Sequence, residues 1–495
     1  MRRLTAPAPL RGSNGISFGP DGRLYVAEFL AGRISAVDVT TGEVETVVAA
    51  GGPIQAPDDL AFGADGAMYI NDLVPGRVWR RTRAGEFDLI ADGILNPNGI
   101  AVAGNRLFVN EMIPGGRVLE LFPGGGAPVT LTEGLAIGNA MQIGPDGYLY
   151  YPHMLTGEVH RIHPDGGAPE LVADEVHEPV AVRFDRDGAL LVLSRDAAGT
   201  LTRIDGDRRT IVATGVTGMD NAAFDDDNRM FVSSFAQGGI TEFHPDGRNR
   251  DVVVPGHAGP FGITVDLAGT VHTADHYRVG AELRNFAHAV AADSGRLHVS
   301  SQYGFVKTID GASERVRVTG LQEPTDLIVR PDGTLLITEA GAGRVVSLDE
   351  NDTVAVITDR LGRPAGITLD AEQRCYVTDT EHGTVSRLDD GIPQILADGL
   401  DQPQGVAVLG DDLYVLERGR RRLLAISLSG GEPRIAAEDL PLGPRSDRRA
   451  ALFADGGMPG VPRPFAGLAA GPDGTLYLSA DGEGTVLAFT FEEPR

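Results

Sequence analysis

The chain of 495 residues carries 69 acidic against 43 basic side chains, a formal net charge of −26. That balance argues against nucleic acid or an anionic membrane surface as a partner, since both need basic surface. One cysteine, Cys375, leaves no disulfide framework and no cysteine-based metal cage, and the length exceeds what one hydrophobic core usually spans.

The opening MRRLTAPAPLRGSNG has three arginines but no apolar run of a secretory leader. No stretch approaches the roughly 18 apolar residues of a spanning helix, so a cytoplasmic protein is expected. Arg2–Ala6 reads as a short orphan strand. After it a phrase begins that recurs to the end of the chain. It reads NGISFGPDGRLYVAEFLAGRISAVD from Asn14, DDLAFGADGAMYINDLVPGRVWRRT from Asp58, NGIAVAGNRLFVNE from Asn98 and NAMQIGPDGYLYYPH from Asn139. Later copies include TDLIVRPDGTLLITEAGAGRVVSLD from Thr325, QGVAVLGDDLYVLE from Gln404 and AGLAAGPDGTLYLSADGEGTVLAF from Ala466. With Val180, Asp220, Phe261, His288 and Ala365, these opening residues mark twelve copies, spaced by about 40 residues, the length of a four-stranded propeller blade.

Each copy has the parts of such a blade. An apolar run meets a Pro-Asp-Gly or Asp-Gly turn, where glycine allows the positive φ of a hairpin. An alternating strand such as Leu-Tyr-Val follows, then a second glycine, a third strand and a more polar fourth strand such as Glu43–Val48. No amphipathic helix longer than a turn or two is present. Twelve blades in one ring would leave a wide hole, whereas rings of four to eight blades fill themselves. The predicted fold is therefore all-β, two six-bladed β-propellers in tandem, with domains 1–248 and 249–495. Arg2–Ala6 is expected to close blade six and Asp251–Pro255 to close blade twelve. The alternative puts 251–255 in blade six.

In a propeller the marker residues ring the mouth of the pore. In the first half they are Asn14, Asp58, Asn98, Asn139, Val180 and Asp220, five of six Asn or Asp. In the second they are Phe261, His288, Thr325, Ala365, Gln404 and Ala466. The scaffold is shared, so the contrast is not a demand of the fold. Converging carboxylate and amide oxygens suit a hard cation, and Ca²⁺ takes six to eight oxygens in loose geometry. Asn14, Asp58, Asn98, Asn139 and Asp220 are the candidate ligands, with Mg²⁺ or another divalent cation as alternatives. The ends of the second strands form a rim: Glu28, Asp72, Glu111, His153, Ser194 and Ser234 in the first half, and Asp275, Ser301, Glu339, Asp379, Glu417 and Ala480 in the second. His153, set beside a metal, is a candidate general base on water, with Glu28 and Glu111 as further catalytic candidates.

At these residues the chain resembles the calcium-dependent six-bladed propellers, the senescence-marker-protein/gluconolactonase family and the paraoxonases. Asn98 in NPNGIAV is similar to their Asn-Gly motif, and Asp220 in GMDNAAFDDD to their Asp followed by a small residue; Asn14 stands where they carry a Glu. The repeat wording GPDGxLYxxE resembles virginiamycin B lyase, whose catalytic-histidine motif is similar to His288 in FAHAVAA. The first resemblance implies a calcium-dependent hydrolase of a lactone or ester. The second implies a Mg²⁺-dependent lyase or cyclase of a secondary metabolite, with His288 and Glu339 as its residues. A non-catalytic binding scaffold is the third reading. The partner implied is a small-molecule substrate; the oligomeric state is left open. The long connection Glu438–Pro464 is expected to fold over the second pore as a lid.

Overall fold

The computed structural model describes residues 1–244, 248–259, 261–443 and 461–491. Among them there is no helix, and hence none long and apolar enough to cross a membrane. The strands form eleven four-stranded antiparallel sheets and two two-stranded ladders.

The chain divides into two compact units. One comprises Ala8–Ala258, with Val461 packed into it; the other comprises Met1–Pro7 and the remaining described residues from Gly259 on. Each is a six-bladed β-propeller. The first has blades over 13–48, 57–92, 97–136, 142–173, 179–213 and 219–253. Its ring closes where blade six meets blade one, with the Ser233 hydroxyl donating to the Asn14 carbonyl at 2.5 Å. The second has blades over 263–287, 289–318, 324–358, 364–397, 403–437 and 468–490. Gly467 N donates to the Phe261 carbonyl at 2.9 Å to close that ring. Its first blade is the one built from two separate ladders, Ile263–Val265 with Val271–Thr273 and His276–Val279 with Glu282–Ala287.

The expected exchange of closing strands is corrected on both counts. Asn249–Val253 pairs with Ile240–Phe243 as the outer strand of blade six. Arg2–Arg3 pairs with Thr485–Thr490, opposite Ala488 and Leu487, and so completes blade twelve. The reason is local: returning on the strand just before it costs blade six little loop-closure entropy. Blade twelve has three strands of its own, and its open edge takes the N-terminal segment. Leu4 N donates to Val486 O at 2.8 Å, the Thr485 hydroxyl to Thr5 O at 2.6 Å, and Arg3 pairs with Glu483. The boundary thus falls after Ala258 and not after Arg248.

One device joins neighbouring blades in both rings. The polar residue before the end of a second strand donates to the carbonyl of the next blade's marker: Asn71 to Asn98, Asn110 to Asn139, Thr338 to Ala365 and Thr378 to Gln404, at 2.5–2.7 Å. The marker's following glycine permits this closeness. A Cβ on Gly99 would lie 2.4 Å from Asn139 O, and one on Gly366 2.4 Å from Gln404 O. The Asn-Gly and Ala-Gly words of the sequence are therefore packing words in their second letter.

The rim acids have an equally structural task. Asp72 accepts from Gln55 N and Ala56 N, Glu339 from Gln322 N, Asp379 from Gly362 N and Arg363 N, and Glu417 from Asp401 N. Each clasps the loop that leads into its own blade.

Candidate functional site

The marker residues of the first propeller converge as the repeat predicts. The Asp58 carboxylate lies between two amides, accepting from Asn98 Nδ2 at 2.8 Å and from Asn14 Nδ2 at 3.3 Å. Asn98 Nδ2 is 3.1 Å and Asn139 Nδ2 3.7 Å from Met112 Sδ. Asn14, Asp58, Asn98, Asn139 and Asp220 are all buried. Asn14 Oδ1 and Asn98 Oδ1 are buried acceptors without a partner. Among the described residues no side-chain hydrogen bond reaches Asp220.

A second layer lies one to three residues along the inner strands. Asp59 accepts from Asn221 Nδ2 at 3.1 Å, Leu60 N at 2.9 Å and Ile100 N at 3.4 Å. Arg183 donates to the carbonyls of Val182, Ala222 and Met141 at 2.8–3.1 Å and stands 3.8 Å from Asp59. Asn221 is part of the Asp-Asn pair that resembles the paraoxonases, whereas Asp59 and Arg183 were missed from the sequence. Asp58-Asp59 and Asp220-Asn221 carry a second polar residue where Asn14-Gly15 and Asn98-Gly99 carry glycine.

The electrostatics follow from burial. Burial, then the charges of Asp220 and Asp59, hold the Asp58 carboxyl well above the ordinary range. Burial and Asp59 push Asp220 up to about 7, against Arg183 and Arg195. Burial pushes Asp59 up to about 6, against Arg183. Three acids thus share one layered pore with one closely placed cation, and two amide oxygens are unsatisfied. Unpaired buried acceptors and excess negative charge are both costly. A divalent cation coordinated by Asp58, Asp220 and the Asn oxygens would relieve both, and an all-oxygen donor set selects Ca²⁺ or Mg²⁺ over softer metals. The residues present fit the group.

Around this polar ring lies an apolar collar. Phe29, Leu73, Met112 and Met154, each directly after a rim residue, cluster with Val461. At the opposite end a cavity of about 550 Å³ is lined by Phe18, Phe62, Phe184 and Phe224, with Arg183 among its walls.

The expected catalytic trio does not assemble there. Glu28 is fully buried against Arg33 and Ser35, each at 2.6 Å, and accepts from Arg11 N. Glu111 is gripped by both donor arms of Arg117, at 2.6 and 2.8 Å, and by Leu95 N. Both carboxylates are neutralised within the rim clasp, so neither is a free base. His153 faces the third strand of its own blade, its ring stacked 4.4 Å from that of His160. Burial, then His160, lower its pKa to about 4, partly offset by Glu158. Among the described residues no hydrogen bond or ring contact ties it to the pore.

The second pore is filled. His288 is buried between Phe261 and Phe465, centroids 4.9 and 5.7 Å away, with its Nε2 2.6 Å from Gln302 Nε2. Gln302 also binds Arg463 through both N and O, and Gln404 binds Pro464 O and Ala466 N. Two glutamines thus clamp the end of the expected lid inside the ring of markers; residues 444–460 of that connection lie outside the described residues. Glu339 is taken up by Arg344 and Gln322 N. Beside Phe465 a cavity of about 240 Å³ remains, lined by Thr325, Arg363, Thr380, Gln404 and Arg463.

No family model matches the chain, and no curated protein matches it. Solved structures do share the fold at low identity. A streptogramin B lyase is 17% identical, with 55% of this chain and 93% of that one covered, at a TM-score of 0.41. A putative gluconolactonase is 16% identical, with 51% and 92% covered and a TM-score of 0.41. Regucalcin of Agrobacterium tumefaciens, described as a calcium-binding protein, is 19% identical, with 47% and 84% covered and a TM-score of 0.40.

Proposed function

We propose that this protein is a divalent-cation-dependent hydrolase of a lactone or other ester, with Asn14, Asp58, Asn98, Asn139 and Asp220 holding the cation on the axis of the first propeller. The observation that supports it most is the pair of buried amide oxygens, Asn14 Oδ1 and Asn98 Oδ1, that lack partners beside uncompensated carboxylates. Calcium is the preferred ion for this donor set. When bound, it supplies Lewis acidity toward a carbonyl oxygen.

The chain's own residues do the rest. Asp58 and the asparagine amides fix one another's orientation. The collar of Phe29, Leu73, Met112 and Met154 offers an apolar acyl or lactone ring a dry seat. We assign to Asp220 the proton of the attacking water, because its carboxylate meets no other donor. In this reading the substrate is a small molecule and the setting is cytoplasmic.

Thermal unfolding in rising Ca²⁺, together with a panel of lactones and simple esters, tests the proposal. Wild-type melting temperature should climb with free Ca²⁺, and chelation and Asp220→Asn should each abolish turnover. Equal stabilisation of wild type and Asp220→Ala by Ca²⁺ would remove Asp220 from the ligand set. Calcium binding without hydrolysis of any panel member would overturn the hydrolase and leave a cation-binding propeller.

A further inference from the structure

The second and third strands of blade four, Leu149–His153 and Glu158–Ile162, pair so that His153 lies opposite Glu158 and Tyr151 opposite His160. Opposed residues of an antiparallel pair share a face, and so do residues two apart. The spacing His-x4-Glu-x-His in HMLTGEVH therefore puts two imidazoles and one carboxylate on one side of one hairpin. One ligand atom from each of His153, Glu158 and His160 lies within 4.8 Å of the other two.

We infer that His153, Glu158 and His160 form a binding site for a transition-metal cation of the zinc class, separate from the axial pore. Zinc bonds of about 2.0–2.1 Å in a tetrahedron place donor atoms about 3.3 Å apart. Side-chain rotation closes that gap, because Glu158 and His160 are only partly buried, with side-chain exposures of 35% and 20%. His160 Nε2 and Glu158 Oε2 already stand 3.2 Å apart. His153 Nε2 is buried and has no partner. Its Nδ1 lies 3.5 Å from Ala136 N, at the outer limit of a hydrogen bond, so that contact does not fix the tautomer. The Thr156 hydroxyl donates to Glu158 at 3.0 Å and orients the carboxylate, as outer partners of metal ligands do. Two imidazoles with one carboxylate favour Zn²⁺, Co²⁺, Ni²⁺ or Cu²⁺ over Ca²⁺, and three protein ligands leave a coordination position open to a small exogenous ligand. The bland account is an aromatic stack of Tyr151, His153 and His160. That account leaves the buried His153 nitrogen unsatisfied.

The test is titration of chelator-treated full-length protein with Co²⁺ alone, in excess Ca²⁺ so that the axial pore is not competing. One equivalent should bring up the visible absorption of tetrahedral cobalt, and Zn²⁺ should displace it. His160→Ala and Glu158→Gln, both at partly exposed positions that spare the core, should each weaken Co²⁺ affinity by at least about tenfold. Asp58→Asn, in the pore, should leave the cobalt spectrum and affinity unchanged. No cobalt spectrum at millimolar metal, or equal affinity in wild type and His160→Ala, would overturn the site. A spectrum lost in Asp58→Asn would do so as well, by moving the metal to the pore.

Discussion

At the scale of single residues, the position after the marker decides much of the pore chemistry. Six of the twelve copies put glycine there, because the next inner strand passes within reach of a Cβ. Two copies put aspartate there instead, one in each propeller. Asp59 and Asp326 accept the same bonds, from the amide of the residue after them and from the matching isoleucine of the next blade, Ile100 or Ile367. Burial pushes Asp326 up to about 7, against those two amides. Its folded-state pKa therefore exceeds the 3.8 of a free aspartate. The folded chain then binds more protons than the unfolded chain between about pH 4 and pH 7, so this group makes stability fall as pH rises through that window, with no further change above it. Asp326→Asn keeps a carbonyl acceptor and removes the titration. Its melting temperature should lose part of the decline that the wild type shows between pH 5 and pH 8. Parallel profiles for the two proteins would show that Asp326 carries no such linkage.

At the scale of elements, the blades were legible because their signals are local. A turn signal, Asp-Gly in half of the copies, and period-two alternation mark the hairpins, and a strand such as Leu335–Glu339 is buried throughout. The pairing of the closing outer strands was not legible, because outer strands carry little pattern: Arg208–Ala213 is exposed at every position. Nothing in such a strand says which neighbour it joins. The pore ring was legible by comparing the copies at one position, and Asp59 and Arg183 were missed because they lie one and three residues further along. The rim acids misled in a different way. Acids recur there in both halves, which is the mark of a scaffold task, and Glu28 and Glu111 follow it. His153 was given to the pore from its rim position, although its alternation with Tyr151 and the hairpin to His160 assign it to the other group. The blade-to-blade relay yields its own prediction. The Thr378 hydroxyl accepts from Gly366 N at 2.8 Å and donates to Gln404 O at 2.6 Å, within buried surroundings. Thr378→Val keeps the shape and leaves both partners unmet, at a cost of about 1–3 kcal/mol. The midpoint of urea unfolding should fall accordingly, while Thr378→Ser should recover most of the loss.

At the scale of the whole molecule, the two propellers differ in how they are closed. The first is continuous, with all four strands of its last blade drawn from 219–253. The second is sealed by residues from the other end of the sequence. The seal is short, two ladder pairs with the Leu4 and Thr5 bonds and an exposed ion pair between Arg3 and Glu483. Its worth lies in what it covers: without it the edge of Thr485–Thr490 presents unpaired amides and carbonyls, the open strand edge that folds usually avoid. Val486, Leu487, Ala488 and Phe489 are buried in the intact blade, so loosening this edge exposes apolar surface as well. A chain lacking Met1–Pro7 should therefore lose amide protection first in Thr485–Thr490 and then in its partner strand Thr475–Ala480. Blades one to six should keep theirs, since no strand of theirs pairs with the deleted segment. Hydrogen exchange read by mass spectrometry separates these outcomes. Uniform protection in the shortened chain would mean that the N-terminal strand is dispensable to the second ring, and equal loss in blades one to six would mean that the two rings do not unfold as the strand pairing divides them.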